Sequence, residues 1–215
     1  LKLMKDSFEF LNNHPLNIKR AAKGLKKANS LWLWSPGKKP AIPNFTEMTG
    51  LDASVVCAVD LIKGIGLCAG MDAPFVEGAT GTIETNYKGK ADAALEALKS
   101  GKNLVYIHVE APDECGHRGE TDNKVKSIEL IDKEILGYMM SELDKMGEKY
   151  KILLAPDHPT PISARTHTLD AVPFVIYKSY QKRESNIKVY NEQSGFEGGV
   201  YLEEGYKLMD LFLRV

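Results

Sequence analysis

The sequence predicts a three-layer α/β fold, a mainly parallel sheet with helices on both faces. Three observations carry that reading. Strand-like and helix-like segments alternate almost throughout the chain, as in a parallel sheet wound with crossover helices. The run Leu104-Val105-Tyr106-Ile107-His108-Val109 is apolar without alternation, the pattern of a strand covered on both sides. Residues suited to chemistry fall just after such runs, at the carboxyl ends of the strands where open α/β sheets bind ligands.

Taken in order, residues 2 to 12 carry Leu3, Phe8 and Leu11 at helical spacing, and His14-Pro15 stops the pattern. A second helix is expected from Asn17, as its cap, to Ala28. Ser30-Leu31-Trp32-Leu33-Trp34 reads as a short strand ended by the turn Ser35-Pro36-Gly37-Lys38-Lys39-Pro40. A strand at 53 to 58, a helix at 60 to 69 and a Gly/Thr-rich loop at 78 to 86 follow. The helix expected over 88 to 100 gathers Ala91, Ala94, Leu95 and Leu98 on one face. After the buried strand at 104 to 109 come a long helix at 122 to 147, strands at 151 to 155, 172 to 177 and near 187 to 190, and a closing helix at 203 to 214. Two regions are expected, 1 to 29 as a connecting piece and 30 to 215 as the core.

Composition narrows the function. At 215 residues and 43% hydrophobic side chains the chain can bury one sizeable core. Lys plus Arg number 28 against 29 for Asp plus Glu, so no basic field attracts nucleic acid, and none is expected as partner. No run reaches the length of a membrane span, and residues 1 to 6 lack the apolar stretch of a signal peptide. Cys57, Cys68 and Cys115 are odd in number and spaced neither as a zinc finger nor as a redox pair. They read as reduced thiols, and the protein as cytoplasmic. The start at Leu1 rather than Met points to a piece of a longer polypeptide.

Three stretches carry the chemistry: Asp113-Glu114-Cys115-Gly116-His117, Asp157-His158 and His167. Carboxylate and neutral imidazole are ligands for divalent cations, and two cations held together clamp both oxygens of a phosphoryl transfer. Asp113 and His117 stand at i and i+4, so on a helical turn after Pro112 they share a face and can chelate one ion. Asp157 and His158 are adjacent and diverge, which suits two ligand positions better than one. His167 lies nine residues further on and can return to the same sheet edge. Each piece alone has a plain structural reading, a cap or a turn, but their conjunction favours metal. His14 and His108 stand apart, His108 as a hydrogen-bonded core residue or a support for a ligand. The loop at 78 to 86 has small residues and hydroxyls but no P-loop lysine, so nucleotide binding is not expected.

The stretches from His108 to His117, Asp157-His158 and Thr166-His167-Thr168 resemble those of the archaeal-type cofactor-independent phosphoglycerate mutases of the alkaline phosphatase superfamily. The resemblance extends over nearly the whole chain and includes His14-Pro15-Leu16-Asn17, Trp32-Leu33-Trp34, Asp60 to Gly66, Gly78-Ala79-Thr80-Gly81 and Thr85-Asn86-Tyr87. It implies an alkaline phosphatase-like core, with Asp113, His117 and His167 holding one metal and Asp157 and His158 helping to hold a second. It further implies two divalent ions, manganese first with zinc, magnesium or cobalt as alternatives, and interconversion of 3-phosphoglycerate and 2-phosphoglycerate through a phosphoserine intermediate. Lys63 falls where related mutases carry a phosphate-binding lysine. Lys38 and Lys39 are candidates to meet the substrate's carboxylate or phosphate, although Ser35-Pro36-Gly37 departs from the turn of that family. Some sequences of this type are named homoserine kinases.

The family's opening aspartate-glycine segment and its nucleophilic serine are not found among these 215 residues. The chain is therefore expected to correspond to the C-terminal portion of such an enzyme, with residues 1 to 29 ending or leaving the inserted domain, and to be inactive alone. A phosphohydrolase or another phosphomutase of the superfamily is the rival reading. A non-catalytic metal-binding domain is the alternative from a different class.

Overall fold

The structure is a computed structural model that describes residues 1–33, 37–38, 40–181 and 186–215. It separates into two compact units, Leu1–Ala41 and Ile42–Val215. Among the described residues no helix is long and apolar enough to cross a membrane.

The first unit holds α1 (Lys2–Asn12) and α2 (Pro15–Ala22). Helix α2 starts two residues earlier than expected, because His14 rather than Asn17 caps it: the imidazole Nδ1 accepts from the Leu16 amide at 3.3 Å, and Pro15 occupies the first turn. It also ends earlier, at Ala22. Asn17 is buried, donates to the carbonyls of Leu11 and Ala28 (2.7 and 2.9 Å) and accepts from the Ala28 amide (2.8 Å), which holds residues 23 to 28 as a loop. Residues 31–33 are not a strand. The Leu31 amide donates to Ser7 Oγ and the Ser30 hydroxyl to the Met4 carbonyl, so this segment is tied to α1 by side-chain bonds instead of a ladder. Trp34, the end of that expected strand, lies outside the described residues.

The second unit opens with a short helix not foreseen from the sequence, α3 (Phe45–Thr49), capped by the Asn44 side chain and closed by Gly50 in the left-handed region at φ 73°. Strand β1 (Ala53–Val56) is buried at every position, and α4 (Asp60–Cys68) packs on it. The approach is so close that a β-carbon on Gly66 would overlap Val55 Cγ1. Gly66→Ala should therefore destabilise the chain by about 1–3 kcal/mol, the usual cost of overpacking. A denaturant midpoint equal to that of the wild type would contradict this packing.

Helix α5 (Tyr87–Lys99) is capped by Asn86, whose side-chain oxygen accepts from the Gly89 amide at 2.8 Å. It leads to β2 (Leu104–Ile107), which pairs with β1 in parallel, Ala53 opposite Leu104 and Val56 opposite Ile107. The parallel arrangement and the helix between the two strands are those the alternating pattern predicts. The core sits between these elements: Val56, Val76 and Ala94 form one buried cluster, and Tyr87, Ala91, Ala111 and Ile135 another.

Helix α6 (Ala111–Arg118) follows β2 after three residues, and α7 (Thr121–Leu130) follows α6. The expected single long helix is present but changes character midway. Residues Ile131–Gly137 are π-helical before α8 (Tyr138–Met146) resumes the α-helical turn. Strand β3 (Lys151–Leu154) pairs with β4 (Val175–Lys178), and this ladder is antiparallel, Lys151 opposite Lys178. The closing region contains α9 (Glu192–Glu197), a single 3-10 turn at Gly205–Lys207 and α10 (Leu208–Arg214). Residues 187–190 form no strand; Tyr190 turns its hydroxyl to the Pro173 carbonyl at 2.9 Å.

Candidate metal centre

The site is built where β2 and β3 end. Helix α6 buries Ala111, Cys115 and Gly116 against the core, so its opposite face carries Asp113 and His117. Pro112 fits the first turn, Asp113 lies at the positive end of the helix and His117 in the last turn, each on the side that the helix dipole favours. His117 Nε2 stands 3.4 Å from Asp113 Oδ1, the i and i+4 contact the spacing predicts. His167 arrives from the loop between β3 and β4. Its Nε2 lies 3.3 Å from the same Asp113 oxygen and 3.1 Å from His117 Nε2.

These three separations can be set against a metal site. Four ligands placed tetrahedrally at about 2.0–2.1 Å from a zinc-like ion are about 3.3 Å from one another. The observed 3.1, 3.3 and 3.4 Å match the edges of such a tetrahedron. The ligand atoms of Asp113, His117 and His167 all fall within one small sphere, and this is the cluster of that kind among the described residues.

The tautomer of His117 follows from its other nitrogen. Nδ1 lies 3.0 Å from the Arg165 carbonyl, which can only accept, so the proton is on Nδ1 and Nε2 turns a lone pair toward Asp113 and His167. Arg165 delivers that carbonyl from a left-handed backbone, φ 53°, a conformation that costs a non-glycine residue free energy and that clusters at functional sites.

Asp157 and His158 follow β3 directly and adjoin the first group. The His158 and His167 rings lie 3.7 Å apart between centroids. His158 Nε2 is 3.3 Å from Asp157 Oδ2, and the Asp157 Oδ1 accepts from the His158 amide at 3.0 Å. His108, at the end of β2, reaches across to the same carboxylate, with Nε2 3.8 Å from Oδ2. The His108 imidazole, with the His158 charge and amide, outweighs burial and holds the Asp157 carboxyl down at about 2, so it is a carboxylate at neutral pH. His108 thus supports a ligand pair from a strand end, one of the two readings its sequence position left open. Its Nδ1 is buried and has no hydrogen-bond partner among the described residues.

Lysines frame the end of β2 in two ways. Lys90 of α5 is wholly buried and donates to the His108 carbonyl at 3.1 Å; desolvation pulls its pKa below the ordinary lysine value. Lys124 of α7 ties the start of α6 to the loop after β3, donating to the carbonyls of Pro112 (2.9 Å) and Thr160 (3.1 Å). Lys63 lies half-buried on α4 and makes no hydrogen bond or ion pair among the described residues; its charge partly offsets the upward push of burial on the Cys57 thiol. No contact brings Lys63 to the ligand cluster. Lys38 is exposed in the first unit, and Lys39 lies outside the described residues.

Two contributors escaped the sequence reading. Arg165 acts through a backbone angle that no residue type at that position announces. Thr160, buried between Pro159 and Pro161, donates its hydroxyl to Asp113 Oδ1 and meets His158 Nδ1 at 3.3 Å. A hydroxyl in a proline-rich turn between two ligand stretches was the available signal.

Residues 11–211 match the profile of the metalloenzyme superfamily. The chain belongs to that superfamily. Membership and the Asp113–His117–His167 geometry together support divalent-metal binding. This metalloenzyme chain is 47% identical, over 213 residues, to a protein of Methanothrix thermoacetophila named 2,3-bisphosphoglycerate-independent phosphoglycerate mutase, an alignment covering 99% of the chain and 54% of that relative. A solved structure from Pyrococcus horikoshii shares its fold with a TM-score of 0.76 at 32% identity, over 91% of this chain and 50% of the other. The cofactor-independent phosphoglycerate mutase of Thermoplasma acidophilum matches with a TM-score of 0.59 at 23% identity, over 98% and 49% of the two chains. The α/β, alkaline phosphatase-like expectation is borne out by these neighbours, although among the described residues the strands form two separate pairs, β1–β2 parallel and β3–β4 antiparallel, rather than one mainly parallel sheet. The chain spans about half the length of the curated relatives it matches.

Proposed function

We propose that the full-length protein interconverts 3-phosphoglycerate and 2-phosphoglycerate through a phosphoserine intermediate at a centre of two divalent ions. The observation that carries this reading is the 47% identity across 99% of the chain with a relative named for that activity. The metal geometry is consistent with it. Asp113, His117 and His167 hold the first ion, and Asp157 and His158 contribute to the second; manganese is the ion we assign. Such an ion lowers the pKa of an attacking hydroxyl and neutralises phosphoryl charge as it is transferred. The chain's own residues prepare the site for that chemistry. The Arg165 carbonyl orients His117, and the His108 imidazole helps to hold the Asp157 carboxyl well down as a carboxylate.

Lys63 is assigned to the phosphate, and Lys38 and Lys39 to the substrate's anionic groups. The nucleophilic serine is supplied from outside these 215 residues, whose first 29 belong to the inserted domain or its connector. Among the described residues all three thiols are free, which fits a reducing, cytoplasmic setting.

An enolase-coupled assay with manganese on full-length protein and on the 215-residue chain tests the reading. Interconversion is expected in the full-length protein, loss of it in full-length Asp157→Ala or His167→Ala, and none from the 215-residue chain. A full-length protein that leaves phosphoglycerate unchanged but hydrolyses other phosphate esters would replace this reading with the phosphohydrolase one.

A further inference from the structure

We propose that Thr160 is a positioning residue that couples the two halves of the centre, fixing Asp113 on one side and the tautomer of His158 on the other. The inference rests on the reading of the site as a metal centre, and it starts from a count of protons. A threonine hydroxyl has one proton to give and two lone pairs to offer. Thr160 gives its proton to Asp113 Oδ1. The contact of 3.3 Å between the same hydroxyl oxygen and His158 Nδ1 must then take its proton from the imidazole. His158 is thereby held with hydrogen on Nδ1, which leaves the Nε2 lone pair, 3.3 Å from Asp157 Oδ2, free to face the same cation as that carboxylate. The Arg165 carbonyl imposes the same tautomer on His117. Two unrelated acceptors, one a backbone carbonyl and one a side chain, therefore turn the Nε2 lone pairs of two histidines into the site.

Thr160 is built to hold that position. It is only 4% exposed, so water does not compete for its hydroxyl. Pro159 and Pro161 flank it, and the residue before a proline is confined to extended backbone. Its carbonyl accepts from Lys124 Nζ at 3.1 Å. That carbonyl lies so near Gly116 of α6 that a β-carbon there would overlap it, which fixes the distance between the helix that carries Asp113 and the loop that carries His158. The hydroxyl thus bonds to one member of each ligand group, the Asp113 carboxylate and the His158 imidazole. Through it, a displacement of Asp113 is felt by His158, and the reverse.

Thr160→Val preserves shape and removes the hydroxyl; Thr160→Ser restores it. Partners of metal ligands are generally worth about 10–100-fold in metal affinity, so titration calorimetry of the 215-residue chain with manganese or zinc should show a loss of at least about tenfold for Thr160→Val and less than about threefold for Thr160→Ser. Imidazole nitrogen shifts of the metal-free chain, recorded where imidazole is neutral, should show His158 protonated on Nδ1 in the wild type and in Thr160→Ser, and a mixture of tautomers in Thr160→Val. Affinity unchanged in Thr160→Val, or an equal loss in Thr160→Ser, would overturn the proposal, as would a Thr160→Val whose metal-free melting temperature falls while affinity and tautomer hold. A wild type that binds neither ion would instead sink the metal reading, and the tautomer measurement would still report on Thr160 directly.

Discussion

Alanine in place of His117 should lower the affinity of the chain for zinc or manganese by more than about a hundredfold, since losing a mere partner of a ligand already costs 10–100-fold. His117 is one of three groups whose donor atoms lie 3.1–3.4 Å apart. Removing it leaves Asp113 and His167, which come from different elements and have no chelate advantage between them. The Asp113–His117 pair is different, since one short helix fixes both residues before any ion arrives. The control is His14→Ala, in the first unit, where the imidazole caps α2 and should leave metal content unchanged. Metal analysis after dialysis is the readout, and one tightly held ion per wild-type chain is the expected stoichiometry. Two equivalents in the wild type, or an unaltered content in His117→Ala, would contradict the assignment.

Manganese should also raise the melting temperature, by roughly 5–11 °C at a hundredfold excess over its dissociation constant. Binding to the folded state alone contributes about 2.7 kcal/mol at that excess. Each kcal/mol moves the midpoint of a chain of this size by about 2–4 °C. A further reason for a large response is that Asp157 is held as a carboxylate close to the ligands, where an added cation relieves negative charge. A chelator should reverse the shift and loosen residues 111–121 and 156–168 before the strands, which hydrogen exchange can follow. A melting curve indifferent to both additions would mean the site does not form in this chain.

What could be read in advance was local. The i and i+4 spacing of Asp113 and His117 specifies a shared helix face by geometry alone, and the apolar run at 104 to 109 specifies a strand, although not the fully covered one expected, since only Leu104 of β2 is buried and Tyr106 is exposed. Pairing across long separations was not readable. Nothing in Val175-Ile176-Tyr177-Lys178 distinguishes a parallel partner from the antiparallel one β4 takes with β3. The segment 30–33 has the composition of a strand, but Leu31 bonds to Ser7 and Ser30 to Met4 instead, a choice made by α1 and not by the segment itself. Within the site, residue types announced the candidate ligands, whereas Arg165 and Thr160 contribute a carbonyl direction and a proton count. Those depend on the folded loop, and only structure exposes them.

The π-helical stretch between α7 and α8 carries a consequence for how the chain's longest helix meets the core. Ser127 and Ile135 are buried, Ile131 and Met139 pack with or beside the cluster at Ile135, and Leu143 is buried again, so the inward positions recur at every fourth residue. In an ideal α-helix each residue turns about 100°, and a step of four overshoots a full turn by about 40°. Four such steps would carry the last position about 160° around the axis, from the inner side almost to the outer. Bonds that span five residues wind the backbone more slowly. Residues Ile131–Gly137 therefore act as an angular correction, taking back the overshoot so that Ser127 and Leu143 can both face inward along one rod.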